Sequence, residues 1–307
     1  MLSHKNVTSR SRLGFIGLGY LGSRIARRLA AAGFSMVVYD RNRERAKELA
    51  ALGAEVATKP EALAADVDVV LSCLANDAAV EAVYLGTGKV IESARPGTVI
   101  IEMSTVAPET SRQLYDIGRQ RDISVLDVAI SGSTPAAEAG TLTLFGGGER
   151  AVFDAVQPTF APIASQVFYM GPSGAGVGMK LVVNTLLGVG MQAIAEAVAL
   201  GSGLGLPREL LLDTLAKTAV VAPAHAGKLA TAKRHDYTAQ FPIRLMSKDF
   251  ALILTAAAQV GLSLPATEAA AAVNSDEASS GGEEDFSAVI RRMEQQVAVE
   301  TVLPPVA

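Results

Sequence analysis

The sequence predicts an α/β fold in which a doubly wound, mostly parallel sheet is followed by an all-helical domain opened by one long helix. Short β-branched runs alternate with helix-compatible segments from residue 13 to residue 170, and this alternation stops at Gly171. A nearly uncharged stretch from residue 176 to about residue 204 then predicts one long helix, buried on most sides. The 307 residues are therefore expected to form two domains, an N-terminal extension with the sheet domain over 1–171 and the helical domain over 172–307.

Seven short apolar runs are predicted as strands because they are rich in Val and Ile and are separated by segments of helix formers. They cover residues 13–16, 36–39, 67–74, 99–102, 125–128, 142–145 and 167–170. After the long helix we expect helices over residues 207–217, 223–231, 243–260, 267–274 and 286–299. An exposed loop is expected over 276–284, where Ser, Gly and acidic residues cluster.

The glycine-rich segment Gly17-Leu18-Gly19-Tyr20-Leu21-Gly22 follows the first predicted strand and precedes a helix-compatible stretch. Asp40 ends the second predicted strand, 23 positions after Gly17. The order of strand, glycine turn, helix, strand and acid is typical of a Rossmann-type dinucleotide site. The first glycine allows the tight turn, the second lets the backbone approach a pyrophosphate, and the third lets the helix pack closely on the strand.

The residues at the end of the second strand bear on the choice of cofactor. A carboxylate at Asp40 accepts hydrogen bonds from the ribose 2′-hydroxyl and repels a 2′-phosphate, which favours NAD. Arg41 beside it, followed by Arg43 and Arg45, is a candidate partner for the 2′-phosphate of NADP. The sequence therefore favours NAD and leaves NADP open.

Composition argues against several other classes of function. The formal net charge of −4 provides no basic surface for nucleic acid or an anionic membrane. The longest uncharged stretch, residues 181–195, is shorter than the roughly 18–20 apolar residues of a membrane span. The single cysteine, Cys73, argues against an internal disulfide framework and predicts a cytoplasmic protein. No cluster has the spacing of a metal site, so no metal is expected.

One lysine enters the otherwise apolar long helix. Lys180 and Asn184 are four positions apart, so both side chains fall on one face of the helix. A lysine in such a helix is solvated, paired or functional. A lysine held at a carbonyl oxygen can donate a proton as hydride reaches the carbon, and can accept it back in the reverse direction. His225 and His235 lie in polar helical stretches and are expected at the surface.

Four separated motifs resemble those of the β-hydroxyacid dehydrogenases, a family that includes 3-hydroxyisobutyrate dehydrogenase and tartronate semialdehyde reductase. The motifs are residues 14–22, the run Asp127-Val128-Ala129-Ile130-Ser131-Gly132-Ser133, residues 174–184, and the run Phe241-Pro242-Ile243-Arg244-Leu245-Met246-Ser247-Lys248-Asp249. Their order and spacing match the family from residue 13 to about residue 293.

The resemblance implies a reversible oxidoreductase that transfers hydride between NAD(P) and a small β-hydroxyacid or its semialdehyde. The implied substrates are of the 3-hydroxyisobutyrate, tartronate semialdehyde, glyoxylate or succinic semialdehyde type. Lys180 would be the proton donor and acceptor, and Asn184 would hydrogen-bond the substrate. The positions implied to bind substrate are Ser131, Gly132, Ser133, Phe241 and Asp249. Those implied to bind cofactor, besides the glycine loop, Asp40 and Arg41, are Leu74, Ala75, Asn76, Thr105 and Lys248.

Three positions depart from the family pattern and leave the substrate open. Tyr20 replaces the usual methionine of the glycine loop, Ser133 replaces a second glycine, and Ala75 replaces a proline. Imine reductases resemble this family in fold but commonly lack the lysine, so Lys180 argues against imine reduction as the main activity. A decarboxylating sugar-acid dehydrogenase is disfavoured, because related enzymes of that type usually carry a larger helical domain. A non-catalytic cofactor-sensing protein is the remaining alternative. The resemblance also implies a homodimer or homotetramer, and the glycines along the long helix would allow close contact between helices.

Overall fold

The computed structural model describes residues 7–8 and 10–297, which form two compact units that divide between Leu181 and Val182. The first unit contains one eight-stranded sheet, and the second unit is helical. This arrangement confirms the predicted fold class, including the long helix that opens the helical part. The domain boundary that the sequence places at Gly171 stays a prediction.

The sheet runs in the order β3-β2-β1-β4-β5-β6-β7-β8. Its strands are β1 (Arg12–Ile16), β2 (Ser35–Tyr39), β3 (Glu55–Val56), β4 (Val69–Ser72), β5 (Val99–Glu102), β6 (Ser124–Ser131), β7 (Leu142–Gly147) and β8 (Ala164–Gly171). Neighbouring strands are parallel except β6 and β7, which pair antiparallel. Since β1 lies between β2 and β4, the chain reverses its direction across the sheet at this point, as doubly wound folds do.

Helices cover both faces of the sheet. They are α1 (Gly22–Ala31), α2 (Glu44–Ala51), α3 (Pro60–Ala64), α4 (Asp77–Tyr84), α5 (Val90–Ser93), α6 (Pro108–Arg119), α7 (Thr134–Ala139), α8 (Arg150–Ala155) and α9 (Gln157–Phe160). Side chains alternate between the faces of a strand. Phe15 and Leu71 accordingly belong to one apolar cluster, whereas Ile16 and Val70 belong to a second cluster.

The long helix α10 (Ala175–Gly203) begins in the first unit and continues into the second. The second unit continues with α11 (Arg208–Leu215), α12 (Pro223–Lys233), α13 (Ile243–Gln259), α14 (Pro265–Gly281), a 3₁₀ turn (Phe286–Ala288) and α15 (Val289–Glu294). Among the described residues, α10 alone is long and apolar enough to cross a membrane by length and composition. Core helices of soluble proteins commonly share these properties.

The prediction that the long helix is buried on most sides is wrong for the single chain. Only 44% of the most apolar 18-residue stretch of α10 is buried. Val182 and Leu186, one turn apart, are 57% and 73% exposed, and Leu200 is 65% exposed. Apolar composition all round the helix therefore does not mean that this chain alone covers the helix on every side.

The loop expected over residues 276–284 is wrong for residues 276–281, because α14 continues to Gly281, whereas residues 282–284 form a turn outside the helix. The polar side chains of this segment find partners within helical geometry. Ser279 Oγ donates to the carbonyl oxygen of Ser275 at 2.9 Å, and the buried Glu277 is held by Arg291 at 2.6 Å. The short strand β3 was not predicted, since two residues give no periodicity. The last predicted helix divides into the 3₁₀ turn and α15, and its residues 298–299 lie outside the described residues.

Candidate active site

Five parallel strands end at one edge of the sheet. They are β1, β2, β4, β5 and β6. All the predicted cofactor residues of the first unit, and three of the predicted substrate-binding residues, lie at or just beyond these strand ends: Gly17, Leu18, Gly19, Tyr20, Leu21, Gly22, Asp40, Arg41, Leu74, Ala75, Asn76, Thr105, Ser131, Gly132 and Ser133. This edge, at the point where the strand order reverses, is where open α/β sheets bind ligands.

The glycine loop has the geometry that a dinucleotide cradle requires. Gly17 has a φ of +93°, and a side chain there would collide with the carbonyl oxygen of Cys73. A side chain at Gly22 would collide with the carbonyl oxygen of Gly17, so the first turn of α1 packs directly on the loop. At Gly19 no atom lies within 4 Å of the position that a Cβ would take. The space beside the Gly19 backbone is therefore open, which fits the close approach of a pyrophosphate at the start of a helix.

Asp40 connects the end of β2 to the glycine loop. Its Oδ2 accepts a hydrogen bond from the backbone N–H of Leu18 at 2.7 Å, and its Oδ1 accepts one from Asn42 at 2.7 Å. The side chain is only 10% exposed, and the guanidinium of Arg45 lies 3.7 Å from Oδ2. Arg41, Arg43 and Arg45 are exposed. The carboxylate is thus rigidly oriented, while the three arginines face solvent.

A buried polar network joins the loops that follow β4 and β5. The backbone N–H of Leu74 donates to Ser104 Oγ at 2.7 Å, and Ser104 Oγ in turn donates to the carboxylate of Glu102. Ser72 Oγ also donates to Glu102, at 3.2 Å, and accepts from the Tyr84 hydroxyl at 2.6 Å. Burial raises the pKa of Glu102 to about 7, although the Ser104 hydrogen bonds oppose this shift.

Sequence reasoning missed this network. Glu102 and Ser104 come just before Thr105 in the chain. On the neighbouring loop, Asn76 caps α4 by accepting from the N–H of Ala79 at 2.9 Å. The available signal was a carboxylate directly at the end of an otherwise apolar strand. Because both cofactor loops contact Ser104 or its chain neighbours, the network fixes the backbone on which Leu74 and Thr105 stand.

The segment Ser131-Gly132-Ser133 turns sharply at the end of β6. Gly132 has a φ of +131°, and a side chain there would lie 2.8 Å from the Leu142 side chain. Ser131 and Ser133 are half-buried, and Ser133 precedes α7 in an extended conformation. The segment offers hydroxyl and backbone N–H groups suited to a carboxylate. Lys180, half-buried on α10, belongs to this same unit.

In the second unit, three predicted residues form one buried polar cluster. Asn184 Nδ2 donates to Asp249 Oδ2 at 2.5 Å, and Lys248 Nζ lies 2.8 Å from Asp249 Oδ1. Asn184 and Asp249 are buried. Because the amide nitrogen of Asn184 is held by Asp249, its buried Oδ1, which has no hydrogen-bond partner among the described residues, is the atom left for a ligand.

Phe241 is placed by a second buried carboxylate that sequence reasoning did not assign. Asp285 Oδ2 accepts from the backbone N–H of Phe241 at 3.1 Å and pairs with Lys228 Nζ at 2.7 Å. The Phe241 ring packs edge-on against Phe286, with 5.7 Å between ring centroids. The sequence signal was the Asp285-Phe286 pair, which matched the family pattern without a role.

The prediction that His225 lies at the surface is wrong, whereas His235 is exposed as predicted. His225 Nε2 lies 2.9 Å from the carbonyl oxygen of Leu187 and donates to it, since a carbonyl only accepts. A side chain at Gly190 would lie 2.7 Å from the imidazole. His225 therefore fills a notch in α10. The buried positions of α12 are 225, 228, 229 and 232, which have the spacing of one helix face. Two of them are polar residues, His225 and Lys228, so the pattern was not recognised as a buried face.

Across residues 7–8 and 10–297, no group of three or more His, Cys, Asp or Glu side chains is placed to hold a metal ion.

Comparisons with known proteins agree with this geometry. Residues 12–171 match the family described as the NAD binding domain of 6-phosphogluconate dehydrogenase. Residues 174–293 match the family described as NAD-binding of NADP-dependent 3-hydroxyisobutyrate dehydrogenase. These two matches cover most of both units.

Individual relatives extend over nearly the whole chain. The chain is 33% identical over 290 residues to 2-(hydroxymethyl)glutarate dehydrogenase of Eubacterium barkeri, covering 94% of this chain and 96% of the relative. It is 33% identical over 261 residues to NAD-dependent L-serine dehydrogenase of Pseudomonas aeruginosa, covering 83% and 88%.

Solved structures show the same fold. Mycobacterium tuberculosis 3-hydroxyisobutyrate dehydrogenase with L-serine superposes with a TM-score of 0.84 at 28% identity, over 92% of this chain and 99% of that chain. An imine reductase from Pseudomonas sp. gives a TM-score of 0.61 at 20% identity over 92% and 99%, a likeness of fold alone.

Proposed function

Since the chain belongs to the β-hydroxyacid dehydrogenase family, we propose that it reversibly oxidises small β-hydroxyacids to their semialdehydes, with Lys180 as proton acceptor and donor. The enzyme is an NAD(P)-dependent oxidoreductase that acts on a hydroxyl group. The observation that carries the proposal is that the sheet unit holds the dinucleotide loop, the Ser131–Gly132 turn and Lys180.

The relatives named above support a substrate class. 2-(Hydroxymethyl)glutarate, L-serine and 3-hydroxyisobutyrate all carry a hydroxymethyl group on the carbon that bears a carboxylate. They differ in the third substituent of that carbon, which is anionic, cationic or a methyl group. We assign to this chain a substrate with this shared part.

Each residue has a simple chemical task in this reaction. The glycine loop and Asp40 would hold the dinucleotide, whose nicotinamide would supply or accept the hydride when bound. The hydroxyl of Ser131 and the N–H of Gly132 bind the substrate carboxylate, so that the reacting carbon has a fixed place. The Lys180 ammonium donates a proton to the carbonyl oxygen during reduction, and the amine takes a proton from the hydroxyl during oxidation. Proton and hydride together convert C=O into CH–OH, so the reaction balances.

We assign NAD as the preferred cofactor. Asp40 is nearly buried and oriented by two backbone N–H groups, so it is well placed for two ribose hydroxyls. A 2′-phosphate beside this carboxylate would bring two like charges together in a partly desolvated place. The exposed Arg41, Arg43 and Arg45 soften the repulsion and support some use of NADP.

The test follows nicotinamide absorbance with NAD and NADP and three β-hydroxyacids, namely 3-hydroxyisobutyrate, 2-(hydroxymethyl)glutarate and L-serine. The reverse reaction is followed with glyoxylate and with tartronate, succinic and methylmalonate semialdehydes. Lys180→Ala should lower kcat at least 10²-fold, because a general acid–base group contributes about that much. Lys217→Ala, an exposed lysine of the helical unit, is the control and should keep wild-type turnover.

Three outcomes would contradict the proposal in different ways. Unchanged turnover in Lys180→Ala would exclude the lysine mechanism. Turnover of cyclic imines but not of the hydroxyacids would identify an imine reductase. Tight NADH binding without turnover of any substrate would indicate a cofactor-sensing protein.

A further inference from the structure

A single buried carboxylate holds the start of the long helix. Asp127 lies in the middle of β6 and is only 2% exposed. Its Oδ1 accepts from the backbone N–H of Gly174 at 2.8 Å, and its Oδ2 accepts from that of Val177 at 2.9 Å. Burial raises the pKa of Asp127, while hydrogen bonds from Gly174 and Val177 oppose the rise. Both carboxylate oxygens are thus committed to the first turn of α10.

These two contacts replace a cap that the helix itself lacks. The N–H of Gly178 donates to the carbonyl oxygen of Gly174 at 2.9 Å, which makes Gly174 the residue that caps the helix. Glycine has no side chain to accept hydrogen bonds, and Ser173 Oγ donates instead to the carbonyl oxygen of Ser111. In a capping box the cap and the third helical residue satisfy each other's N–H groups. Here Asp127 satisfies both groups from a neighbouring strand.

Two glycines let the helix start rest directly on the sheet. A side chain at Gly176 would lie 2.5 Å from the carbonyl oxygen of Asp127 and would also collide with that of Phe145. A side chain at Gly147, on β7, would lie 2.6 Å from Asp127 Oδ1 and 2.8 Å from the Gly176 nitrogen. Because no side chain separates the backbone of α10 from that of the sheet, the first turn of α10 packs at a fixed distance from β6 and β7.

We propose that Asp127 is a positioning residue for Lys180. Lys180 stands three residues after Val177 on α10, and Ser131 stands four residues after Asp127 on β6. The carboxylate of Asp127 therefore joins the strand that ends in the substrate-binding turn to the helix that carries the acid–base group. A shift of about 1 Å between such groups is enough to slow a reaction by roughly 10². This inference rests on the proposed role of Lys180.

The test compares Asp127→Asn with wild type in kcat, KM and the dissociation constant for NADH. The variant keeps the shape of the side chain, but its amide nitrogen faces an N–H donor, so one hydrogen bond to α10 is lost. We expect kcat to fall 10- to 100-fold while the NADH dissociation constant stays within about 2-fold. The Asp127 carboxylate bonds to the start of α10, whereas the glycine loop is bonded to Asp40. Gly147→Ala, which keeps the Asp127 charge but crowds both the carboxylate and the Gly176 nitrogen, should show the same pattern.

Two further comparisons separate positioning from general destabilisation. Phe160→Leu, in the core of the sheet unit, should lower the melting temperature, because its ring is buried against Phe153, and should keep wild-type kcat. In a Lys180→Ala background supplied with methylamine, Asp127→Asn should have no additional effect, because the reacting amine no longer stands on the helix. A fall in both backgrounds, or wild-type kcat in Asp127→Asn, would overturn the inference.

The experiments distinguish a wrong lysine mechanism from a wrong positioning role. If Lys180→Ala keeps full turnover, the lysine mechanism is wrong, and the positioning role falls with it. If Lys180→Ala is impaired but Asp127→Asn is not, only the positioning role is wrong.

Discussion

Asn184 and Asp249 form a buried hydrogen bond of 2.5 Å between the amide nitrogen of one and Oδ2 of the other. Lys248 pairs with the second oxygen of the same carboxylate at 2.8 Å. Asp249 thereby fixes which end of the Asn184 amide is available, since a carboxylate accepts only from the nitrogen. The sequence predicted these three residues separately, and in the structure they form one hydrogen-bonded cluster.

Replacing Asp249 tests this relationship. Asp249→Ala leaves the buried amide nitrogen of Asn184 without a partner and should lower the free energy of unfolding by about 1–3 kcal/mol. Asp249→Asn keeps an acceptor oxygen for Asn184 and should retain more of the stability. Chemical denaturation of both variants measures the difference. Equal loss in the two would show that the ion pair with Lys248, and not the bond to Asn184, stabilises the cluster.

Cofactor preference should depend on Asp40 more than on the arginines. Asp40→Ser removes the charge that repels a 2′-phosphate, so the ratio of kcat/KM for NADPH to that for NADH should rise at least 10-fold. Arg41→Ala should reduce the use of NADPH and leave that of NADH nearly unchanged, because its exposed side chain has no role in holding the glycine loop. Steady-state kinetics with both cofactors measure the two ratios. A wild type that prefers NADPH would contradict the assignment.

The sequence predicted the strands of the sheet well because buried parallel strands are short runs of Val, Ile and Leu. The glycine loop was also predictable, since Gly17 needs a positive φ and Gly22 a close packing contact that other residues do not allow. Both features depend on neighbouring residues in the sequence, so composition and spacing are enough to predict them.

Three buried carboxylates, those of Glu102, Asp127 and Asp285, were not assigned, because key partners of each are distant in sequence. Asp127 contacts α10 about 50 positions later, and Glu102 acts through Ser72, 30 positions earlier. Nothing in a single sequence distinguishes such a carboxylate from a solvated one at a strand end. The loop prediction failed over residues 276–281 for a related reason, since the ion pair between Glu277 and Arg291 that supports α14 is also non-local.

The exposed face of α10 is a candidate interface for the homodimer or homotetramer that the family resemblance implies. Val182 and Leu186 form an apolar stripe that the single chain leaves 57% and 73% exposed. Leu186→Glu should convert the assembly to a smaller species, because a charge buried in an interface without a partner is strongly unfavourable. Light scattering after size exclusion measures the mass. Leu52→Glu, at a leucine of the sheet unit that is 54% exposed, is the control, and an unchanged mass in Leu186→Glu would exclude this face.

Glu102 should make the stability of the enzyme depend on pH. Its pKa is raised to about 7 in the folded chain by burial, whereas an unfolded glutamate has a pKa of about 4.3. The folded state therefore binds more protons than the unfolded state between these values, so the free energy of unfolding falls as pH rises from about 4.3 to about 7. At roughly 1.4 kcal/mol for each pKa unit, this difference corresponds to a full loss of about 4 kcal/mol, of which about 3 kcal/mol falls between pH 4.5 and pH 8. Glu102→Gln carries no charge at any pH, so the difference in unfolding free energy between wild type and variant should change by about this amount between pH 4.5 and pH 8.

Denaturation curves across that range measure the difference, with Glu48→Gln at an exposed surface position as the control. A constant difference between wild type and Glu102→Gln would show that Glu102 ionises in the folded protein as it does in the unfolded chain.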